Sequence, residues 1–204
     1  MTALERFYPI AESARMVETL VSSGVRLVQL RIKEAPLAYL RDQITRAACY
    51  CRQHQAQLVV NDYWQLALEL GVDCVHLGQE DLRNADLQAL RRSNVRFGIS
   101  THDHAELDRA IDRQPMYVAL GPIWPTLLKV MPWAPQGIAR ITEWKRVIGN
   151  RPLVAIGGIT AERAPACLRA GADCVAVVSD VVRQPDVPGR VKVWLKAVSL
   201  EQNT

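Results

Sequence analysis

Apolar residues in this chain gather into short, dense runs separated by longer amphipathic stretches. Eight runs read as strands: residues 7–10 (FYPI), 26–33 (RLVQLRIK), 56–61 (AQLVVN), 74–78 (CVHLG), 95–100 (VRFGIS), 117–123 (YVALGPI), 153–158 (LVAIGG) and 174–179 (CVAVVS). Most lack the apolar–polar alternation of a half-wet sheet, which is how strands buried on both faces of a parallel sheet read. Between them the apolar spacing turns helical, at 36–54, 64–70, 84–92, 104–113 and 161–170, and an amphipathic segment around 190–201 follows the last run. Gly24, Gly71 and Gly171 each lead from a helical pattern into a strand, as expected of the residue that leaves a helix through the left-handed conformation. Strand and helix alternate throughout, which predicts a parallel sheet. Eight such units in 204 residues predict an α/β fold of the (β/α)8 TIM-barrel type, one domain over 1–204. The alternative is an open doubly wound sheet, which no G-x-G-x-x-G after the first strand supports.

One run breaks the pattern. Gln29, Arg31 and Lys33 fall at every second position of RLVQLRIK and share a face with Leu27, while Val28, Leu30 and Ile32 take the other. Burying two cations is costly unless something anionic meets them. The ends of the other runs are polar too. Asn61 and Asp62 end the third, the fourth runs into Gln79, Glu80 and Asp81, Ser100 and Thr101 end the fifth, and the sixth runs into Thr126 and Lys129. The seventh ends in Gly157 and Gly158, and the eighth in Val178 and Ser179. In a barrel of this type the strand C-termini form one rim, and that rim carries the active site.

Composition narrows the chemistry. About half the residues are apolar (49%) and 23% are charged, which is ordinary for a globular protein. The formal charge of +4 suits a small anionic substrate. Without a Lys/Arg block or aromatic–basic interleaving, nucleic acid is not expected as a partner. No apolar run approaches the roughly 18 residues that span a bilayer, and the N-terminus does not read as a secretory signal, so no membrane partner and a cytoplasmic location are expected. Five cysteines at Cys49, Cys51, Cys74, Cys167 and Cys174 show neither zinc nor redox spacing, and are expected to be reduced and structural.

The rim residues sort into three groups. Asp62 and Asp81 end adjacent strands in this reading, and strands about 4.8 Å apart let both carboxylates reach one Mg²⁺, the rest of its shell being phosphate oxygens and water; either alone also reads as a helix N-cap. Arg31, Lys33 and Lys129 would surround the same space with donors for phosphate oxygens, or else extend to solvent or pair with Glu34 and Glu80. Gly157 and Gly158, beside Val178 and Ser179, fit the phosphate site that loops after strands seven and eight build in such barrels. The anion expected around Arg31 and Lys33 is a diphosphate with Mg²⁺; a monophosphate is expected near strands six to eight. Two phosphate sites in one cavity suggest a transfer in which pyrophosphate leaves.

The stretches VQLRIK, VNDYWQLA, GVDCVHLGQEDL, RFGISTH, ALGPIWPTLLK with MPWAPQG, VAIGGI and VAVVS together resemble the thiamine-phosphate synthase family. The resemblance implies a (β/α)8 barrel that joins an aminopyrimidine methyl diphosphate to a hydroxyethylthiazole phosphate and releases pyrophosphate. It implies that Gln29, Arg31, Lys33 and Asn61 bind the pyrimidine diphosphate, with Ser100 and Lys129 as further pyrophosphate contacts. Arg31, Ser100 and Lys129 are the residues to which it assigns catalysis. It implies Asp62 and Asp81 as Mg²⁺ ligands, and Thr126, Gly158, Val178 and Ser179 around the thiazole phosphate, beside the Gly157 of the phosphate loop. No strong base is implied, although His102 and His104 in STHDH offer themselves as one. Trp124, Trp133, Trp144 and Trp194 read as packing residues, with Trp124, in the site loop, also a candidate to line the pocket.

The chain departs from the family's P-T-x-T-K loop at one position, where Leu128 stands for the second Thr. Rival readings are a relative that isomerises the thiazole phosphate, a binder with a weakened thiazole site, and a generic sugar-phosphate barrel; Asp62, Asp81 and Lys129 favour the synthase. A hydrogen bond to a charged group is worth about 1.5–3 kcal/mol, which is about one to two decades in affinity. Leu128→Thr is therefore expected to lower the KM for thiazole phosphate by about one to two decades. An unchanged KM in steady-state kinetics overturns that expectation.

Overall fold

A computed structural model describes residues 4–126 and 133–199 of the chain. Eight parallel strands, β1 (Phe7–Ala11), β2 (Leu27–Leu30), β3 (Gln57–Asn61), β4 (Cys74–Leu77), β5 (Arg96–Thr101), β6 (Tyr117–Leu120), β7 (Leu153–Ile156) and β8 (Cys174–Val177), close into a barrel in sequence order, with β8 pairing back onto β1. The helices α1 (Ala14–Ser22), α2 (Leu37–Gln53), α3 (Trp64–Glu69), α4 (Gln79–Asn84), α5 (Leu87–Arg92), α6 (His104–Asp112), α7 (Gly137–Ile148), α8 (Ala164–Arg169), α9 (Ser179–Val182) and α10 (Val187–Ser199) fill the connections. The expected (β/α)8 barrel is the fold. No helix of the described residues is long and apolar enough to cross a membrane.

The period-two alternation of each strand divides the core into two layers. Tyr8, Leu27, Val59, Tyr117 and Val154 point into the barrel with Cys74 and Cys174, while Phe7, Val28, Leu30, Val60 and Val75 point outward against the helices. The two faces read from residues 27–30 are therefore the two sides of the barrel wall. Helix starts follow local capping chemistry: Ser13, Asp86 and Asp103 accept from the backbone N–H of Met16, Ala89 and Glu106, at 3.2, 2.9 and 2.8 Å. Trp144 and Trp194 are packing residues, as expected. The Trp144 indole donates to Thr101 Oγ1 at 3.0 Å, and Trp194 stacks on Phe7 at 5.1 Å. All five cysteines are free, and burial pushes the Cys74 thiol up to about 12.

Several boundaries differ from the sequence reading. β2 stops at Leu30, and Arg31 makes one more ladder bond, to Ala11 O at 2.8 Å, before β1 turns into α1 and leaves Ile32 and Lys33 unpaired. The helix expected over 84–92 is α5, which starts at Leu87 because Ala85 is extended (ψ 130°) and Asp86 caps the helix, and a further helix not expected from the sequence, α4, covers Gln79–Asn84. Asp81 consequently lies in the first turn of α4 rather than at a strand end. The helix expected from 161 starts at Ala164. β5 runs one residue beyond the expected end, to Thr101, paired with Leu120, so His102 follows the strand directly. Ser179 opens α9 and does not end β8.

Barrel closure constrains Gly98 on β5. A Cβ there would meet the Tyr117 ring at 2.1–2.5 Å. Forcing atoms into a packed interior costs about 1–3 kcal/mol, and each kcal/mol shifts Tm by about 2–4 °C at this chain length. Gly98→Ala is expected to lower Tm by at least about 2 °C; an unchanged thermal melt would show that the ring can move aside.

Candidate active site

The C-terminal rim opens into a cavity of about 600 Å³. Among the described residues, every position expected to bind substrate or metal lines it. Gln29, Arg31 and Lys33 come from β2 and its extension, Asn61 and Asp62 from β3, and Asp81 from α4. Ser100 comes from β5, Thr126 from the segment after β6, Gly157 and Gly158 from the end of β7, and Val178 and Ser179 from the end of β8. Lys129, Leu127 and Leu128 lie outside the described residues.

The charged end lies against β2, β3 and α4. Asp62 holds a left-handed backbone (φ 65°), a conformation that Asp tolerates better than most residues. Its N–H donates to His76 O at 2.9 Å and its carbonyl accepts from Trp64 N at 2.7 Å. Burial, and after it the neighbouring Asp81 carboxylate, raise the Asp62 carboxyl to about 6 against the opposing charges of Arg31 and Lys33. Asp81 folds back over Gly78, close enough that a Cβ there would lie 3.0 Å from its carboxylate. Two facing acids of which one resists ionisation, with cations alongside, make a setting that a divalent cation would neutralise. Among the described residues no group of three or more His, Cys, Asp or Glu side chains comes together to hold a metal by itself.

The cavity floor is a chain of buried hydrogen bonds. Gln29 Nε2 donates to Tyr8 OH at 2.8 Å, and the Tyr8 and Tyr117 hydroxyls lie 3.0 Å apart. Tyr117 OH lies 2.9 Å from His76 Nδ1, and His76 Nε2 lies 2.8 Å from Ser100 Oγ. Burial, helped by the Arg31 charge, lowers the His76 pKa to about 4, so the imidazole is neutral at pH 7. A single direction leaves no buried hydroxyl proton without an acceptor. Tyr8 donates to Tyr117, Tyr117 to His76 Nδ1, and His76 Nε2–H to Ser100. The Ser100 proton is then free to donate into the cavity.

The other end lies at β6, β7 and β8. Ile123 N donates to Ile156 O and Trp124 N to Gly157 O, both at 3.0 Å, so the segment after β6 runs along the end of β7. Gly157 (φ 97°) and Gly158 (φ 64°) are required there. A Cβ on Gly157 would meet Pro122 at 2.7 Å, and one on Gly158 would meet Pro125 O at 2.5 Å. Arg163 braces the turn, donating to Gly158 O at 2.7 Å while stacking on Trp124 at 5.1 Å. Asp180 fixes the start of α9 by accepting from Arg190 at 2.7 Å and from the Trp194 indole at 2.8 Å.

Residues 5–181 match the family model described as thiamine monophosphate synthase. The chain belongs to the thiamine monophosphate synthase family. A relative from Rhizobium etli named thiamine-phosphate synthase is 55% identical over 96% of each chain, and one from Cronobacter sakazakii with the same name is 46% identical over 93% of this chain and 90% of its own. The solved thiamine phosphate pyrophosphorylase from Pyrococcus furiosus superimposes with a TM-score of 0.83 at 26% identity, covering 96% of both chains.

The sequence reading of this family member missed part of the cavity wall. Tyr8, Tyr117 and His76 were masked by apolar strand runs, where an aromatic or a lone His reads as core. Trp133, expected to pack, lines the cavity and stacks on His102 at 4.0 Å between ring centroids. His102 also lines the cavity and binds Glu106 Oε2 through Nδ1 at 2.7 Å, whereas His104 starts α6 and binds Glu143 at 2.6 Å. Trp124 packs under Arg163.

Because the buried His76 has a folded pKa of about 4, below the ordinary 6.5, its contribution to stability is complete above pH 6.5 and is lost as pH falls towards 4. At about 1.4 kcal/mol per pKa unit the loss amounts to up to about 3 kcal/mol. Denaturant titrations of wild type and His76→Gln from pH 7 to 4 are expected to converge as pH drops. A constant difference across that range would rule out this linkage.

Proposed function

We propose that the cavity binds an aminopyrimidine methyl diphosphate at its β2–β5 side and a hydroxyethylthiazole phosphate at its β6–β8 side, within a single cytoplasmic barrel domain. Family membership makes the chain a transferase that forms thiamine phosphate with release of pyrophosphate. Relatives named as synthases leave the isomerase and inactive-binder readings without support. The observation that carries the substrate assignment is the polarity of one cavity. Arg31 and Lys33 stand beside the facing carboxylates Asp62 and Asp81 at one end, and a glycine turn whose Cβ positions are filled by neighbours stands at the other.

Asp62 and Asp81 would hold Mg²⁺, their carboxylates being the hard oxygen donors that this cation takes. Bound there, Mg²⁺ supplies positive charge to the diphosphate oxygens. Arg31 and Lys33 bind the departing pyrophosphate, and Lys129, by the family resemblance, joins them. The bond between the pyrimidine methylene carbon and the diphosphate oxygen breaks, and its electron pair leaves with pyrophosphate. The thiazole nitrogen then donates its lone pair to the methylene carbon, and no proton has to be removed. Gln29 and Asn61 orient the pyrimidine diphosphate, and the free Ser100 proton donates to it. Thr126, Gly157, Gly158, Val178 and Ser179 hold the thiazole phosphate, so that two reactants meet in one orientation.

The test is an assay of purified protein with both phosphorylated substrates and Mg²⁺, with thiamine phosphate quantified with and without EDTA. Magnesium-dependent product is expected. Asp62→Asn keeps a side chain suited to the left-handed backbone and is expected to cut kcat by about two orders of magnitude or more with Tm preserved. No product from folded wild type overturns the assignment, and near-wild-type kcat in Asp62→Asn overturns the role given to that carboxylate.

A further inference from the structure

We propose that Arg183 is a phosphate-binding residue at the β7–β8 end of the cavity, where it takes the dianionic monophosphate ester; this rests on the substrate placement just given. Arg183 follows α9, and its backbone N–H returns to Ser179 O at 3.4 Å. The two residues are four positions apart on one helical turn, so their side chains share a face, and both line the cavity.

The surrounding charges leave Arg183 unclaimed. Asp180 is taken by Arg190 and the Trp194 indole, and Glu162 by Arg190. Glu12, beyond the end of the adjacent strand β1, makes no ion pair with it among the described residues. The two other arginines nearby in the fold have structural duties: Arg163 braces Gly158 and Trp124, and Arg190 ties α10 to α8's approach and to α9. Arg183 alone of the three lines the cavity, and its side chain makes no hydrogen bond or ion pair among the described residues. A planar guanidinium with five donors matches the oxygens of a phosphate monoester better than any neutral ligand. Thr126, Ser179 and the glycine turn supply neutral contacts around the same end, and Arg183 supplies the charge.

The test reads binding directly by calorimetry, on wild type, Arg183→Gln, Arg183→Lys and Arg146→Gln, which lies near the C-terminus of α7 away from the cavity. Thiazole phosphate is one titrant; pyrophosphate with Mg²⁺, which reports the opposite end, is the other. Loss of a charged hydrogen-bonding partner is expected to weaken thiazole phosphate about tenfold or more in Arg183→Gln. The pyrophosphate Kd is expected to stay within a factor of about two, well under the tenfold that one lost charged contact represents. Arg183→Lys recovers part of the loss, and Arg146→Gln matches wild type for both titrants. Unchanged thiazole-phosphate affinity in Arg183→Gln overturns the proposal, and so does equal weakening of both titrants, which would mean a general effect on the barrel mouth. Turnover on the same samples separates the two readings: wild type that binds thiazole phosphate through Arg183 without forming thiamine phosphate sustains this inference and removes the synthase assignment.

Discussion

Five strands meet through one buried chain of hydrogen bonds, from Gln29 on β2 through Tyr8 on β1, Tyr117 on β6 and His76 on β4 to Ser100 on β5. Each of these groups would be costly to bury alone. Joined in sequence they satisfy one another, and no buried side-chain polar atom among the described residues is left without a partner. The chain also has a direction, and it delivers its last proton at the cavity floor. The interior of the barrel is therefore the base plate of the site as well as its core. Gly98 belongs to the same arrangement, because the Tyr117 ring occupies the space where any larger residue would put its Cβ.

Above that floor the two ends of the cavity differ in kind. At β2, β3 and α4 the electrostatics are strong and opposed: two cations beside two carboxylates, one of which is held towards protonation by burial and by its neighbour. Such a setting favours something bound that shares the charges, and it concentrates the field at the end of the cavity to which the proposed diphosphate is assigned. At β6, β7 and β8 the wall is made of backbone, with two glycines in left-handed conformations and a segment after β6 packed against them. This end selects by shape and by donor groups. The division suits a reaction in which one partner must lose a highly charged group and the other must only be held still.

The barrel tolerates wide sequence change. The Pyrococcus furiosus structure keeps the fold at 26% identity with a TM-score of 0.83. What the fold requires is a period-two pattern at strand positions and apolar helix faces, and many residues satisfy both. The site is more demanding, because each rim residue must deliver a specific chemistry at one strand end.

The amino-acid sequence by itself determined the eight strands, the closed parallel architecture and nearly all of the described rim residues, because buried parallel strands read as unbroken apolar runs and their C-terminal ends are marked by polar residues or glycine. Local chemistry was legible wherever a residue broke its own pattern, as Gln29 and Arg31 do inside β2. Tertiary structure alone decided what depends on neighbours distant in sequence. Tyr8, Tyr117 and His76 sit in apolar runs, where an aromatic or a lone histidine is indistinguishable from core until the strands close and bring the three together. Trp133 reads as packing until the segment before α7 returns to His102 across the rim. Asp81 was recognised as a ligand candidate but assigned to a strand end; it reaches Asp62 from the first turn of α4, a six-residue helix too short for its apolar spacing to stand out in the sequence. Arg183 has no motif at all. Its meaning comes from the contacts that occupy Arg163, Arg190, Asp180 and Glu162 around it, and those exist only in the folded chain.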